Sequence, residues 1–390
     1  MRSCRLRLCA VLAAAAFSCA AQTDSGMVRE GAYWVQTVTG TAPVSPSGIL
    51  RVSTRGPISL QGEARKDIAY ELQKRARVST EAAARTLLEK ISLKTGKRAG
   101  GLLLEVSLPP VWTASATLRL KVPRDLHQTI LQTQGDEIEA SDLDGMLRAE
   151  SGGGRVRVDR VRGKVTVRTE GGELHLREIG GGVECFSGGG QIIAEEIAGE
   201  SSLNSEGGEI IVRRARGPVR ASTAGGNITI EEADQGVTAS AKAGLIHVVH
   251  SAGPVVAQTG SGAIKIRSAG DIECQAGTGA IALERVFGGL RVSTQSGSIL
   301  ADLAEKPLRD SALTTGAGDI TVLIPSNLSV TVQAISASPG GRRIVSDFPE
   351  IRTRELPAGA RVEAEGALNG GGPLLRLTAL GGSIYLRRQQ

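Results

Sequence analysis

The sequence predicts an all-β fold: a β-solenoid of about ten 18-residue coils over residues 132–324, preceded by a small β-rich module with one helix. Two observations carry this prediction. Glycine recurs every eighteen residues, and each of these glycines is followed by the same alternation of aliphatic residues. Self-similarity at a fixed short period is typical of solenoids. The glycines of the series are Gly154, Gly172, Gly190, Gly208, Gly226, Gly244 and Gly262.

The composition suits a narrow core. Aromatic residues make up 2% of the chain, whereas glycine accounts for 51 of its 390 residues. Such a chain cannot fill a wide globular interior, but stacked Val, Ile, Leu and Ala side chains can fill a narrow solenoid. The charges are mixed along the chain rather than grouped in blocks, so disorder of the whole protein is not expected.

We number the residues of each coil from its glycine, which is position 0. Aliphatic residues or alanine recur at +2, +4, +7, +11 and +13, and a small hydroxyl residue or alanine recurs at +15. Each coil therefore holds two short strands with inward positions at period two. The +15 hydroxyls are expected to bond turn backbone that would otherwise be buried unpaired. An antiparallel β meander would produce the same alternation and remains the alternative fold.

Residues 1–21 predict a signal peptide. Three arginines precede an apolar run from Leu8 to Phe17, and small residues follow up to Ala21. Cleavage after Ala21 is one outcome, and a lipoprotein with Cys19 as its lipidated first residue is the other. Beyond the signal no run of eighteen apolar residues occurs, so no transmembrane span is expected. We expect an exported protein in the periplasm, associated with the outer membrane, or at the cell surface.

The rest of the chain divides into three parts around the solenoid. Residues 22–47, rich in Ser, Thr, Pro and Gly, predict a spacer. Residues 48–131 predict the β-rich module, with a helix over residues 81–94. Residues 325–390 predict further strands and a cap, because an open terminal coil exposes both core and unpaired backbone.

Net charge argues against a nucleic-acid partner. Removal of the signal leaves 43 basic and 40 acidic residues, so the formal charge falls from +6 to +3. No basic stripe interleaved with aromatic residues occurs, which is the pattern that nucleic-acid binding needs.

Cysteine and histidine positions indicate neither a disulfide nor a metal. Cys185 and Cys274 occupy one column five coils apart, about 24 Å, so they cannot form a disulfide and are expected to be small buried hydrophobic residues. His175 and His247 share the +3 column four coils apart, about 19 Å, too far to share a metal. We expect no metal and no cofactor.

The acidic residues do not indicate an active site. Glu195–Glu196 and Glu231–Glu232 lie two coils apart in one column, and Arg213–Arg214 lie on the coil between them. Mutual neutralisation at a solvated edge accounts for this arrangement. A β-helical carbohydrate-active enzyme would need paired carboxylates and long loops that build a cleft, whereas these coils have almost no insertions.

Two outward columns are candidate contact surfaces. At +3, Ile193 and Ile211 place aliphatic side chains on adjacent coils, which indicates contact with another segment or molecule. At +14, Ser222, Ser240 and Gln258 belong to a row of small polar side chains. Such a row suits a glycan or the backbone of a partner.

Several elements resemble the putative adhesin family of bacterial envelope proteins with β-strand repeats. They are the repeat unit Glu170–Leu176, the lead-in Val122–Arg124, the Ser346–Pro349 element and the ending that starts at Gly370–Pro373. The resemblance covers about residues 115–388. It implies a repeat fold at the cell envelope. It implies no catalytic or binding residues, because the family is one of unknown function.

Together these features predict an exported, non-enzymatic cell-envelope protein, an adhesin-like structural or binding solenoid. The expected partner is an envelope glycan, a protein or a further copy of the chain. Two alternatives remain: an envelope scaffold that assembles through the solenoid ends, and a β-helical carbohydrate-active enzyme.

Overall fold

The computed structural model describes residues 23–45, 48–98, 101–337, 343–355 and 361–389. The predicted signal peptide and Cys19 lie outside these residues. Strands make up 67% of the structure, and the β-solenoid has about 11 turns of about 18 residues. The predicted fold class is therefore confirmed.

The described chain forms 36 strands and one helix. The N-terminal elements are β1 (Thr23–Asp24), β2 (Val28–Glu30), β3 (Tyr33–Pro43), β4 (Ile49–Thr54), β5 (Ile58–Glu63), β6 (Asp67–Ala76), α1 (Glu81–Glu89), β7 (Ser92–Arg98), β8 (Gly101–Ser107) and β9 (Ala114–Pro123). The repeats begin with β10 (Gln128–Thr133), β11 (Ile138–Leu143), β12 (Met146–Ser151), β13 (Val156–Val161), β14 (Val165–Thr169), β15 (Leu174–Ile179), β16 (Val183–Ser187), β17 (Ile192–Ile197), β18 (Ser201–Ser205), β19 (Ile210–Ala215) and β20 (Val219–Thr223). They continue with β21 (Ile228–Ala233), β22 (Val237–Ala243), β23 (Ile246–Ser251), β24 (Val255–Ser261), β25 (Ile264–Ser268), β26 (Gly270–Thr278), β27 (Ile281–Ser296), β28 (Ile299–Leu308), β29 (Ser311–Ala317) and β30 (Ile320–Ile324). The C-terminal strands are β31 (Val330–Ala337), β32 (Ile344–Ser346), β33 (Arg352–Glu355), β34 (Arg361–Leu368), β35 (Leu374–Ala379) and β36 (Ile384–Arg388).

The repeat strands form two parallel sheets that enclose the core. Sheet A contains β11 and every second strand up to β25, and sheet B contains β10 and every second strand up to β26. Val156 pairs with Leu174, and Leu174 pairs in turn with Ile192, so each coil stacks on the previous one at an offset of eighteen residues. Parallel pairing from coil to coil excludes the antiparallel meander for the repeats.

The predicted inward positions are buried. In the coil of Gly154, Val156, Val158 and Val161 point inward from sheet A, and Val165 and Val167 point inward from sheet B. All five are at most 2% exposed. Burial of an aliphatic side chain contributes about 1.5–3 kcal/mol, so the repeated columns hold the two sheets together.

In five coils a left-handed residue at +6 precedes the inward-facing +7 side chain. Because +4 and +7 both face the core, two successive residues between them must face outward. The +6 residues with positive φ, between +52° and +62°, are Asp142, Arg160, Glu178, Glu196 and Arg285. This conformation costs a non-glycine residue about 1–3 kcal/mol. Burial of the aliphatic +7 side chain offsets that cost.

Close stacking of the coils explains the glycine at position 0. A Cβ atom on Gly172 would lie 2.0 Å from the carbonyl oxygen of Gly154 in the coil below. Backbone atoms of a packed ladder cannot move aside to admit it. Gly171, the residue before it, has no atom within 4 Å of such a Cβ.

The +15 hydroxyl bonds the turn as predicted. The Ser205 hydroxyl accepts a hydrogen bond from the Gly208 amide at 2.8 Å and donates to the Gly190 carbonyl at 3.3 Å. The same arrangement recurs at Ser187 and Thr223. One side chain thus closes its own turn and ties it to the coil below.

The turn changes where the glycine before position 0 is lost. Ala243 replaces this glycine, the strand continues into the turn, and Gly244 adopts a φ of +132°. Its amide then donates to the Ser261 carbonyl of the next coil at 3.0 Å instead of to a hydroxyl. Position −1 therefore decides which of the two turns a coil uses.

The hydroxyl column provides a test of the turn. We expect Ser205→Ala to lower the free energy of unfolding by about 1–3 kcal/mol, because the Gly208 amide loses its partner in a buried turn. Ser222→Ala, an exposed serine one coil further on, should change it by less than about 0.5 kcal/mol. Urea unfolding followed by circular dichroism measures both. Equal changes in the two variants would contradict the role of the +15 hydroxyl.

The N-terminal module continues the solenoid. Strands β4 and β5 stack in parallel on β10 and β11, and β8 and β9 stack in parallel on β4 and β5. Antiparallel strands then cover the end: β6 pairs with β9 and β3 pairs with β6 in sheet A, and β7 pairs with β8 in sheet B. The predicted spacer, residues 22–47, thus contributes β3 to this cover.

Helix α1 lies beside the cover. Thr80 caps it, its hydroxyl accepting a hydrogen bond from the Ala83 amide at 3.4 Å, and Ala84 and Leu88 are buried. The helix ends at Glu89 rather than at residue 94 as predicted. The reason is that Ser92 begins strand β7, whose pairing with β8 uses the backbone of these residues.

The C-terminal strands stack in an order that differs from their order in the sequence. Strands β35 and β36 stack in parallel on β29 and β30 and form the next coil. Beyond them lie β31 in sheet B and β32 in sheet A. Antiparallel β34 and β33 then cover β31. Phe348 is buried at this end under the Arg388 guanidinium, 5.1 Å from the ring centre.

Candidate interaction surfaces

The predicted contact residues lie on opposite faces of the solenoid. Ile193 and Ile211 are paired neighbours on the outer face of sheet A. Ser222, Ser240 and Gln258 follow one another on the outer face of sheet B. The structure therefore does not bring the five residues into one surface.

The isoleucine pair is half-buried rather than exposed. His175 precedes it and Thr229 follows it in the same column. The +5 column beside it alternates in charge through Asp159, Arg177, Glu195, Arg213 and Glu231. Long charged side chains cover aliphatic neighbours with their methylene groups, and this accounts for the partial burial.

Ion pairs neutralise the outer face of sheet A. Arg177 Nη2 lies 2.8 Å from Asp159 Oδ2, and Arg213 Nε lies 3.4 Å from Glu195 Oε1. Exposed pairs of this kind contribute at most about 1 kcal/mol each. They leave this face without a large charge of either sign.

The acidic pairs considered for catalysis take part in the same pairing. Glu195 meets Arg213, and Glu232 Oε2 lies 2.8 Å from Arg214 Nε on the neighbouring coil. The predicted mutual neutralisation is what the geometry shows for these residues.

A depression at the A-to-B corner of the early coils holds about 420 Å³. Small residues at +8, Gly180 and Ala198, form its floor. Arg160 spans its side and donates to Asp142 at 2.8 and 3.0 Å. That hydrogen-bonded guanidinium holds the pKa of Asp142 below its ordinary value. The charges of the depression are thus largely satisfied by one another.

A second cleft, of about 690 Å³, lies on sheet B near the long coil that follows Gly297. Asp271 contacts Arg309 and accepts a hydrogen bond from the Gly289 amide at 2.8 Å. Asp310 accepts from the Leu374 amide at 2.9 Å. These carboxylates hold the backbone of an irregular coil in place, which is a structural role.

The outer face of sheet B carries a continuous row of polar side chains, which we call the sheet B ladder. It includes the three polar residues predicted at +14 and extends well beyond them in both directions. Its members, in spatial order, are Glu105, Ser53, Gln132, Glu150, Arg168, Phe186, Asn204, Ser222, Ser240, Gln258, Gln275, Ser293, Thr314 and Thr378. Thirteen strand spacings make it about 62 Å long.

The ladder differs from sheet A in leaving its polar groups available. Most of its members are neutral hydrogen-bonding side chains. In the described part of the chain, Ser222, Ser240, Gln258 and Gln275 have no side-chain hydrogen-bond partner. They are exposed and aligned in register on neighbouring strands. A regular ligand lying along the solenoid axis would meet the same chemistry at each coil.

A groove runs along the N-terminal part of the ladder at the glycine corner. One section holds about 680 Å³ and is lined by Gln132, Glu150, Arg168 and Phe186 together with the turns beside them. A second section holds about 310 Å³ and shares Gln132 with the first. The two sections meet at Gln132 to Gln134, and together their linings extend across β8, β4, β10, β12, β14 and β16, about 24 Å at five strand spacings.

Glu150 and Arg168 are held in place within this groove. Glu150 accepts hydrogen bonds from Gln132 Nε2 at 2.8 Å and from Arg148 Nε at 2.7 Å. Burial raises the pKa of the Glu150 carboxyl group, but these hydrogen bonds together lower it by more. The pKa of Glu150 therefore lies below its ordinary value. The Arg168 guanidinium lies over the Phe186 ring, 4.9 Å from its centre. Phe186 is the one aromatic member of the ladder, and the sequence prediction missed it.

Cys185 and Cys274 are buried and free, as predicted. Burial raises the pKa of both thiols, which keeps them protonated and unreactive at neutral pH. Burial, followed by the charge of Lys265, lowers the pKa of His247. Within the ranges that the structure describes, no three His, Cys, Asp or Glu residues are grouped to hold a metal ion. The described residues also include no helix with the length and apolar character of a membrane span.

Comparison with known proteins finds two similar solved structures. One is a putative adhesin from Bacteroides fragilis NCTC 9343, with a TM-score of 0.30 and 16% identity, covering 61% of this chain and 96% of that chain. The other is a putative cell adhesion protein from Clostridium sporogenes ATCC 15579, with a TM-score of 0.19 and 10% identity, covering 90% of this chain and 99% of that chain. No protein-family model and no curated protein matches the chain. The structural neighbours are thus bacterial proteins of the class that the sequence resembles, at a similarity too low to transfer a function.

Proposed function

We propose that the protein is an exported, non-enzymatic binding protein of the cell envelope, and that its ligand lies on the sheet B ladder. The observation that carries the proposal is the register of the ladder: fourteen strands present aligned side chains, most of them neutral and several without an internal partner. Solenoid proteins bind their partners through extended surfaces of this kind.

Export is supported by the sequence. Three arginines, an apolar run and small residues up to Ala21 make a signal peptide, and Cys19 is a candidate for lipidation. Fractionation tests this part directly. We expect the protein in the envelope or the medium, and we expect Cys19→Ala to release it from the membrane fraction if Cys19 carries a lipid. Retention of the full-length chain in the cytoplasm would contradict export.

The binding role is tested with beads coated with the purified protein. Their adhesion to isolated bacterial envelopes, mucin and matrix protein is compared with that of two double variants. Ser222→Lys with Ser240→Lys adds two charges to the ladder on adjacent coils. Thr229→Lys with His247→Lys adds two charges to adjacent coils of sheet A and serves as the matched control.

We expect the ladder variant to adhere about tenfold less than wild type, because two buried lysines at the contact would lose their hydration. The sheet A variant should adhere like wild type. Equal adhesion of the two variants, or no adhesion of wild type to any surface, would contradict the proposal. Release of soluble products from the surfaces would support the carbohydrate-active enzyme instead.

A further inference from the structure

We propose that the ligand is an uncharged polysaccharide chain that lies along the solenoid axis, anchored in the groove at the N-terminal part of the sheet B ladder and continuing over Ser222 and Ser240. The inference rests on the proposed binding function and adds the chemical class of the ligand and the place where it binds. The groove continues over six strands and about 24 Å. Its two sections, of about 680 and 310 Å³, are within the range of ligand sites.

An aromatic ring lines one end of this groove, and a second belongs to a residue four positions along the chain from the lining at the other end. Phe186 lines one end. At the other end the lining reaches Leu108, and the loop that follows carries Trp112, whose side chain is 85% exposed. Two successive prolines precede Val111 and Trp112 and stiffen this loop. An exposed tryptophan on a stiff loop is unusual in a chain with 2% aromatic residues, and it points to a contact with a ligand.

Polar groups along the groove fit hydroxyl-rich ligands. Gln132, Gln134 and Ser53 offer neutral donors and acceptors along the floor and rim. Amide and hydroxyl side chains can both donate to and accept from a sugar hydroxyl. Aromatic rings pack their apolar faces against other apolar surfaces, and a sugar ring offers such a surface on the face that carries its C–H groups.

Charge disfavours an ionic polymer. Arg55 and Arg168 face Glu105, Glu150 and Glu170 in the lining, so neither sign dominates. Glu150 already accepts hydrogen bonds from Gln132 and Arg148, and Arg168 is held over Phe186. A polyanion would find too few free cations to neutralise it.

Affinity electrophoresis of the full-length purified protein tests the inference. Native gels contain dextran, mannan or xylan as neutral probes, or hyaluronan as a charged probe. The variants are Phe186→Ala and Trp112→Ala. The matched control is Tyr385→Ala, because Tyr385 lies on sheet A under the Arg387 guanidinium, 5.5 Å from its ring centre, as Phe186 lies under Arg168. Trp112→Ala removes a side chain that packs on little, so it should not alter folding.

We expect at least one neutral polysaccharide to retard wild type, and each groove variant to raise the dissociation constant about tenfold, the size of a hot-spot aromatic. Tyr385→Ala should migrate like wild type. If both groove variants are retarded as strongly as wild type, the groove is not the binding site. If wild type is retarded more by hyaluronan than by the neutral polysaccharides, the ligand is not an uncharged polymer. Ladder-dependent adhesion to a protein surface without polysaccharide binding would overturn this inference alone. Absence of any binding would overturn the proposed function as well.

Discussion

Replacing Gly172 by alanine is expected to lower the free energy of unfolding by about 3 kcal/mol. The new Cβ atom would lie 2.0 Å from the Gly154 carbonyl oxygen and 2.5 Å from its carbon. These two atoms belong to the backbone of a turn whose flanking strands are hydrogen-bonded to the neighbouring coils. The backbone cannot move aside, so the two coils must separate locally. Effects of this size arise when packing leaves no room for added atoms. Urea unfolding followed by circular dichroism measures the change.

Gly171→Ala is the matched control, because it adds the same methyl group one residue earlier. Nothing lies within 4 Å of its Cβ, and Gly171 does not have positive φ. The expected change is within about 1 kcal/mol and of either sign, since alanine also reduces the entropy of the unfolded chain. A similar loss in both variants would mean that the turn, rather than the stacking distance, requires glycine.

Replacing Ile210 by alanine is expected to lower the free energy of unfolding by about 2–5 kcal/mol. Ile210 is fully buried at +2 between Ile192 and Ile228. Its truncation leaves a cavity in a core that the stacked coils cannot close without breaking register. The same unfolding measurement applies, with guanidinium chloride if urea does not reach the transition.

Ile211 provides the comparison for this variant, because it is the next residue and points out of sheet A. Its half-buried side chain contacts the charged columns rather than the core, so Ile211→Ala should cost about 1 kcal/mol or less. If Ile211→Ala costs as much as Ile210→Ala, the outer face of sheet A packs against something that the chain itself supplies. The inward and outward assignment of +2 and +3 would then be wrong.

The repeated part of the fold could be predicted because each of its causes is local. The glycine at position 0, the aliphatic columns and the +15 hydroxyl recur at fixed offsets, and the pairing of Val156 with Leu174 follows from that register. The left-handed +6 residue was not predicted. The spacing of three between +4 and +7 shows that the strand is irregular there, because two outward residues in a row cannot fit a regular strand. It does not show which coils use a left-handed residue.

The strand pairing at the ends of the solenoid could not be predicted, because it is long-range. Strand β4 stacks on both β8 and β10, although β8 lies between these two strands in sequence. No local pattern shows that a chain will leave the solenoid, form a cover and return. The sequence predicts a spacer where strand β3 lies, although Val35, Val38 and the threonines around them favour a strand.

The candidate site was predicted in part. Ser222, Ser240 and Gln258 are the middle of the sheet B ladder, but its extent depends on the order of coils at both ends. Phe186 occupies the same +14 column and could have been found there as its single aromatic residue. The groove itself could not, because its walls are turns whose position follows from the stacking of six strands.

The two faces of the solenoid differ in how their polar groups are used. Ion pairs between neighbouring coils neutralise sheet A, and the ladder of sheet B keeps its neutral groups free. This contrast is the basis for placing the ligand on sheet B. A test of this placement requires a probe that reports ligand contact on one face of the solenoid at a time.

Site-directed labelling is that probe. In a chain lacking residues 1–21, Cys185 and Cys274 are the remaining cysteines, and both are buried thiols that react slowly. Ser240→Cys and Thr229→Cys therefore place one reactive thiol on sheet B or on sheet A, and a bulky maleimide covers about one coil of either face. We predict that the label at position 240 weakens adhesion at least tenfold and that the label at position 229 leaves it unchanged. Equal adhesion of the two labelled proteins would contradict the assignment of binding to the sheet B ladder.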